Sequence, residues 1–480
     1  MESLWLLISA TVFLSIATFL LCTNTTKFFR KKNGSTRPSP SSSETQLPLG
    51  TLGWPFIGET IEFISCAYSG SPERFMDKRR RLYGNVFKSH LFGSRTIVST
   101  DAEVNKHVLD SKTFIPAYPR SLTELMGESS ILVTNGNLHK KLHGLIGAFL
   151  KSAQLKAQIT RDMQKYVHET MSHWKDDQLI YIQDVSKNIA FKVLVKVLIG
   201  LDPGEEVQFL NEQFLEFNAG IISLPIKIPG SRLCRSLQAK KRMMKVIEKI
   251  IQEKQKHNSN EIPKDVIDVL LNDPNENLTP GFISSNMVDF MIPGEDSVPV
   301  LITLVVKFLS ECPRALEQML EENMRLKTLK DEKGELLCWG DYMSLPFTQN
   351  VISEALRLGN IIGGVMRKAT KDVQIKGYLI PEGWCVFAYF LSVHLDDKHY
   401  DQPHQFNPWR WQDNNIGTCN FTPFGGGQRL CPGLELARLE TSIFLHHFIT
   451  QFSWVAEEDA IIHFPTARLK RRMPVCVKRR

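Results

Sequence analysis

The chain has 480 residues, of which 42% are hydrophobic and 23% charged, with a formal charge of +7. That is ample apolar material for one large core, and the modest positive excess suits an acidic partner or an anionic membrane face while being too weak to argue for nucleic acid. Nine cysteines without a CxxC pair exclude a disulfide framework or a zinc finger as the simple reading and favour a reducing compartment.

Residues 3–22 carry no charge and are numerous enough, at about 20, to cross a bilayer as a helix. Glu2 precedes this run and Lys27, Arg30, Lys31 and Lys32 follow it, which places the bulk of the chain in the cytosol. The expectation is an anchor over residues 1–25, a basic, Ser/Pro-rich linker over 26–46 and a single domain over 47–480. Residues 86–90 and 95–98, joined by Phe92-Gly93-Ser94, read as a β-hairpin. His139 and His143 stand four apart on a helical stretch, but no HExxH supports a metal pair there. Residues 236–256 form a basic amphipathic helix whose face is Met243, Val246, Ile247, Ile250 and Ile251, with the charged side in solvent. Most of the rest has helical period, so the fold class is mostly α with a minor β-sheet.

Residues 286–309 read as a long apolar helix interrupted at its middle by Pro293-Gly294-Glu295-Asp296-Ser297. Each proline removes an intrahelical hydrogen bond, at about 3 kcal/mol in a regular helix. An acid and a hydroxyl in such a helix require partners or a function. Glu354 and Arg357 share a helix face at i,i+3 and can pair. Three apolar segments, 114–126, 217–228 and 361–365, can line a cavity, although core packing explains single residues equally well. Phe114, Leu125, Ile221, Ile292, Ile361 and Val365 are the candidate lining.

The most informative stretch is Phe424-Gly425-Gly426-Gly427-Gln428-Arg429-Leu430-Cys431-Pro432-Gly433, followed by an apolar helical pattern to about residue 452. The glycines permit a tight turn. Pro432 suits a first helical position, which puts Cys431 at a helix N-terminus where a thiolate is favoured. No GK[ST] follows, so a phosphate loop is excluded.

These ten residues resemble the signature F-x-x-G-x-R-x-C-x-G of the cytochrome P-450 family at every fixed position: Phe424, Gly427, Arg429, Cys431 and Gly433. The resemblance implies the cytochrome P-450 fold behind an N-terminal transmembrane helix, haem b as cofactor, and Cys431 as axial ligand of the haem iron. Arg429 would then reach a haem carboxylate, and Arg367 resembles a further carboxylate-binding arginine. His139 and His143 lie where the family has W-x-x-x-R, a departure. Glu354, Arg357 and Arg410, the last within Phe406-Asn407-Pro408-Trp409-Arg410-Trp411, match the family's structural triad. Asp296 and Ser297 resemble its oxygen-activation pair, with Pro293 replacing the usual small residue.

No GxGxxG appears in the chain, so NADPH is not bound here and an NADPH-cytochrome reductase is the implied electron donor. Stretches such as Gly53-Trp54-Pro55-Phe56-Ile57-Gly58-Glu59-Thr60 and Phe347-Thr348-Gln349 are similar to plant steroid hydroxylases of the brassinosteroid pathway, and most to the side-chain carbon-23 hydroxylases. The implied substrate is a 22-hydroxylated steroid, at a single-pass endoplasmic reticulum membrane location with the catalytic domain cytosolic. Alternatives are carbon-22 or other hydroxylation of a phytosterol, cholesterol or triterpenoid, a haem-thiolate isomerase or dehydratase, and a non-catalytic sterol-binding membrane protein.

Overall fold

One helix, Pro280–Glu311, organises the molecule. Its Thr279 cap accepts the Phe282 N–H, and Pro280 occupies the first turn, where a missing N–H costs nothing. The computed structural model describes residues 46–223, 226–256, 262–273, 278–412 and 416–480. The expected anchor and the linker up to residue 45 lie outside the described residues. Among the described residues no helix is long and apolar enough to cross a membrane.

The sequence predicts an interruption at Pro293–Ser297, but the helix runs unbroken through both Pro293 and Pro299. Lost bonds to the Asp289 and Glu295 carbonyls, about 3 kcal/mol each, are outweighed by burial. Val298, Val300, Leu301, Ile302, Leu304 and Val305 are all sealed in the core, each worth roughly 1.5–3 kcal/mol. Tertiary packing therefore overrides the local preference. Around this helix pack Ile182–Ile199, Arg232–Lys256, Pro346–Gly359 and Leu434–Gln451.

The basic amphipathic helix begins at Arg232, one turn before the expected start. Its buried stripe takes in Leu233, Ala239, Met243, Ile247, Ile250 and Ile251, and also Lys240, whose charge the sequence assigns to the solvated side. Lys240 Nζ instead meets Asp289 Oδ1 of the long helix at 2.7 Å and the Leu125 and Met126 carbonyls at 3.1 and 2.8 Å.

Against this helical body lies a five-stranded sheet in the order Val86–Leu91, Ser94–Ser99, Cys385–Tyr389, Gly364–Ala369, Phe114–Pro116. Only the second and third of these strands run parallel. The predicted hairpin is its first pair, turned by Phe92 and Gly93 at φ 52° and 79°. Positive φ at both central residues is the turn whose twist matches that of the strands.

Candidate active site

The cysteine loop is folded by its own backbone. Gly425 and Gly427 have φ of +74° and +64°. A Cβ on Gly427 would lie 2.1 Å from the Leu109 carbonyl oxygen, so the loop can press onto its neighbour only with glycine there. Cys431 N–H donates to the Phe424 carbonyl at 3.1 Å and closes the loop. The following helix starts at Leu434, not at Pro432 as the sequence predicts; Pro432 and Gly433 form a turn before it. Burial pushes the Cys431 thiol pKa up, and the N–H of Gly433, the N-cap of that helix, opposes it. A coordinated cation would hold this sulfur as thiolate outright.

Beside the loop sits positive charge without an acid. Arg429 fixes the segment before the histidine helix Gly136–Leu150, donating to Leu132 O at 3.0 Å, to Asn135 Oδ1 at 2.9 Å and to the Thr134 carbonyl. Arg367, on a sheet strand, is buried and donates only to its neighbour Met366 O at 3.2 Å. Burial depresses both guanidiniums, Arg429 to about 10 with Arg367 contributing. His139 is buried and held near neutrality, its pKa lowered to about 4 by burial, Arg429, His143 and Arg367. His143 Nε2 donates to Leu430 O at 3.0 Å and so braces the loop itself. Tyr118 lies within electrostatic reach of both arginines, two residues beyond Pro116, which pairs with Arg367. No motif flags this tyrosine in the sequence. Among the described residues no carboxylate pairs with Arg367, Arg429 or His139.

The triad forms as the sequence predicts. Arg357 Nη2 and Nε meet Glu354 Oε1 and Oε2 at 2.8 and 2.9 Å, both side chains fully buried. Arg410 Nε joins Glu354 Oε1 at 3.0 Å. Trp411 Nε1 donates to Oε2 at 2.9 Å and Asn407 N–H to Oε1 at 3.0 Å. The remaining Arg357 nitrogen holds the His394 and Pro403 carbonyls, each at 2.7 Å.

On the long helix, Pro293 is exposed while Phe290, Gly294 and Ser297 are half-buried. These positions share one face, which therefore looks onto open space inside an otherwise buried helix. Ser297 Oγ donates to Pro293 O at 2.5 Å. Asp296 is ion-paired with Lys187, which also reaches Glu295 Oε1 at 3.3 Å. Glu295 is buried, and its carboxyl is pushed up to about 7 by burial and by Asp296 beside it. Lys187 is carried by Ile182–Ile199, whose Leu194 side chain packs next to Gly294. One of three lysines in that helix, Lys187 gives no sequence signal of its partner.

The family model "Cytochrome P450" matches residues 48–471. The chain is a cytochrome P450. It is 59% identical over 457 residues to the 3-epi-6-deoxocathasterone 23-monooxygenase CYP90D1 of Arabidopsis thaliana, covering 94% of this chain and 93% of that protein. Identity is 60% to Cytochrome P450 90D2 of Oryza sativa subsp. indica, over 90% of this chain and 89% of that one. A second Arabidopsis 23-monooxygenase of the same title, CYP90C1, is 54% identical over 90% of this chain and 84% of its own length. Among solved structures, the retinoic acid-bound cyanobacterial CYP120A1 superposes with a TM-score of 0.80 at 24% identity, covering 91% of this chain and all of that one, which bears on the fold.

Membership of this family makes the protein a haem-thiolate monooxygenase that uses haem iron, with electrons from NADPH delivered by a reductase. The residues fit that group. Buried Arg367 and half-buried Arg429, without an acid among the described residues, suit the two carboxylates of haem, and the half-buried Cys431 sulfur suits a soft, electron-rich iron ligand.

Four of the candidate wall residues, Leu125, Ile221, Ile292 and Ile361, belong to the one large apolar cluster. Phe114 instead packs beside the sheet with Val86, Ile97 and Val104, and Val365 with Leu109, Ala388 and Phe390. The short Phe114–Pro116 strand explains the first departure, since pairing with Gly364–Ala369 fixes which face its side chains take.

Proposed function

We propose that this cytochrome P450 hydroxylates the side chain of a 22-hydroxylated steroid at carbon 23, at the endoplasmic reticulum membrane. The observation that carries the reading is the 59% identity to a steroid 23-monooxygenase across nearly the whole of both chains. In this reading residues 1–25 anchor the protein, and an NADPH-cytochrome reductase is its partner.

Bound haem supplies the redox chemistry that inserts one atom of dioxygen into a C–H bond and releases the other as water. Cys431 holds the iron. Arg367 and Arg429 hold the haem carboxylates, with His139 beside them, while His143 keeps Leu430 and hence the loop in place. Glu354, Arg357 and Arg410 fix the structure behind the loop. Asp296 supplies protons toward the groove, oriented by Lys187, and Ser297 marks the groove by holding the Pro293 carbonyl. Leu125, Ile221, Ile292 and Ile361 form the apolar wall that a fused-ring body requires. The existing 22-hydroxyl sets the register of the side chain, because a site that hydrogen-bonds a hydroxyl discriminates far more strongly than an apolar one.

The deciding assay offers a 22-hydroxylated and an unhydroxylated sterol at equal concentration to the reductase-supported enzyme. Consumption of the first with a new hydroxyl at carbon 23 is the expected result. A product hydroxylated at carbon 22, from the unhydroxylated sterol only, defeats the carbon-23 reading while leaving the monooxygenase intact. Deleting residues 1–35 is expected to release most of the protein from microsomes with haem retained.

A further inference from the structure

His394 lies on no motif discussed so far, yet it is fully buried and engaged at every polar atom. Its carbonyl accepts from Arg357 Nη1 at 2.7 Å. Its Nδ1 meets Asn360 Oδ1 at 3.0 Å, and its Nε2 accepts the backbone N–H of Thr422 at 3.0 Å. A backbone N–H can only donate, so Nε2 is the bare nitrogen and Nδ1 carries the hydrogen. One neutral tautomer alone satisfies both contacts. Burial and the neighbouring Arg357 push the pKa of the ring down to about 3, which keeps it in that form.

The two contacts join two parts of the site. Asn360 ends the helix that bears Glu354 and Arg357, and does so with φ of 43°, a left-handed residue held in place by this bond. Thr422 begins the cysteine loop: its carbonyl accepts Gly425 N–H at 3.0 Å, and Phe424 O then accepts Cys431 N–H at 3.1 Å. A second path closes the circuit. The His394 ring packs on Phe421 at 5.7 Å, Phe421 on Trp411 at 4.4 Å, and Trp411 donates to Glu354.

We propose that His394 is a positioning residue for the thiolate: its ring transmits the geometry of the buried Glu354–Arg357 pair to the cysteine loop through the Thr422 N–H. This inference rests on Cys431 being the iron ligand, and the wild-type spectrum tests that separately. Without the histidine, the triad reaches the residues before the loop through the packing of Trp411 on Phe421 and through Tyr400, whose hydroxyl donates to the Asn420 carbonyl at 3.0 Å. The histidine alone among these ties takes hold of the Thr422 N–H and links it to the fully buried Glu354–Arg357 pair.

The test uses the full-length haem-loaded protein and reads how fast the thiolate absorption of the reduced carbonyl complex converts to that of a neutral-thiol complex in mild urea. His394→Leu removes the acceptor, and we expect conversion at least about tenfold faster, the equivalent of roughly 1.4 kcal/mol. His394→Gln keeps an oxygen that can accept the Thr422 N–H and should recover most of the wild-type lifetime. Asn360→Ala leaves the ring but frees its orientation, and should fall between them; it carries the test if His394→Leu yields no folded protein. His463→Gln is the control, a half-buried histidine whose Nδ1 has no partner among the described residues and which makes no bond to the loop. Wild-type lifetimes in His394→Leu and Asn360→Ala would overturn the proposal. So would lifetimes that track Tm across all variants, the control included, since that is mere loss of stability.

Discussion

The two sides of the site are built differently. Behind the cysteine loop, bonding converges: Glu354 alone receives Arg357, Arg410, Trp411 and the Asn407 N–H. Across the long helix, the roof made by Arg120–Met126 and Arg232–Lys256 is held by separate bonds spread along it. Among them are Lys240 to Asp289, Ser121 Oγ to the Ile221 carbonyl at 3.2 Å, Ser236 Oγ to the Glu216 carbonyl at 2.8 Å, and the Glu124–Lys227 pair at 2.9 Å. Beyond the roof Ile222, Ile226 and Ile228 lie exposed. Converging, directional bonding fixes iron geometry, which every turnover needs unchanged. Apolar packing with scattered bonds suits a wall that must admit and shape a substrate.

If the contrast is right, changes on the thiolate side affect all chemistry, whereas changes in the roof affect which molecule is oxidised and where. The largest effect is expected from Cys431→Ala, which should abolish the thiolate signature of the reduced carbonyl complex and all monooxygenase turnover. An unchanged spectrum would sink the ligand assignment. Next is Arg357→Leu, which takes the bidentate partner from buried Glu354 and leaves it Arg410; losing one partner of a buried pair costs about 3–5 kcal/mol, so little folded, haem-loaded protein should be recovered on expression. Asp296→Asn should keep haem and substrate affinity but slow turnover by roughly 10²-fold, the scale of a lost proton-transfer group. Reductase electrons should then appear as peroxide or water, measured as NADPH consumed per product. Full coupling in this variant would remove Asp296 from proton delivery.

Ile221→Ala tests the other half of the contrast. The thiolate spectrum should be untouched, KM should rise by up to about tenfold for the lost apolar contact, and the product should scatter over neighbouring carbons by mass spectrometry.

The smallest effect is an opposite response to acid. His394, His446 and His447 have pKa values pushed down to about 3, 3 and 4 by burial, so their contribution, present above about pH 6.5, is lost as the pH falls. Asp289 and Glu295 are pushed up to about 6 and 7, so the folded state gains as they take up protons on acidification. Between pH 7 and 5, amide protection around His446 and His447 in Leu434–Gln451 should fall, offset in part by Glu440 of the same helix, which burial pushes up to about 8, while that around Asp289 and Glu295 in Pro280–Glu311 rises. Parallel changes in both would break the comparison.

Legibility in the sequence follows the same divide. The cysteine loop, the hairpin and the Glu354–Arg357 spacing are local patterns; the hairpin and the pair fold as read, and the loop does so up to the start of its following helix, which comes two residues late. What escaped was set by partners far along the chain. The continuity of the long helix through two prolines depends on neighbours that bury it. Lys240 and Lys187 look like surface charges until Asp289 and Asp296 meet them. The tie from His394 to Thr422 spans 28 positions, and no periodicity announces it. The helix start after Cys431 differs from the expected one by two residues, because Pro432 and Gly433 form a turn before Leu434.

The facing arginines carry a last consequence. Arg367 and Arg429 repel one another and meet no carboxylate among the described residues. A dianionic guest between them removes that repulsion, and its capture adds to folding stability in proportion to the logarithm of its concentration. Cofactor loading and folding are thereby coupled: porphyrin added to the protein should raise its Tm and slow its digestion, and Arg367→Leu should shrink both gains.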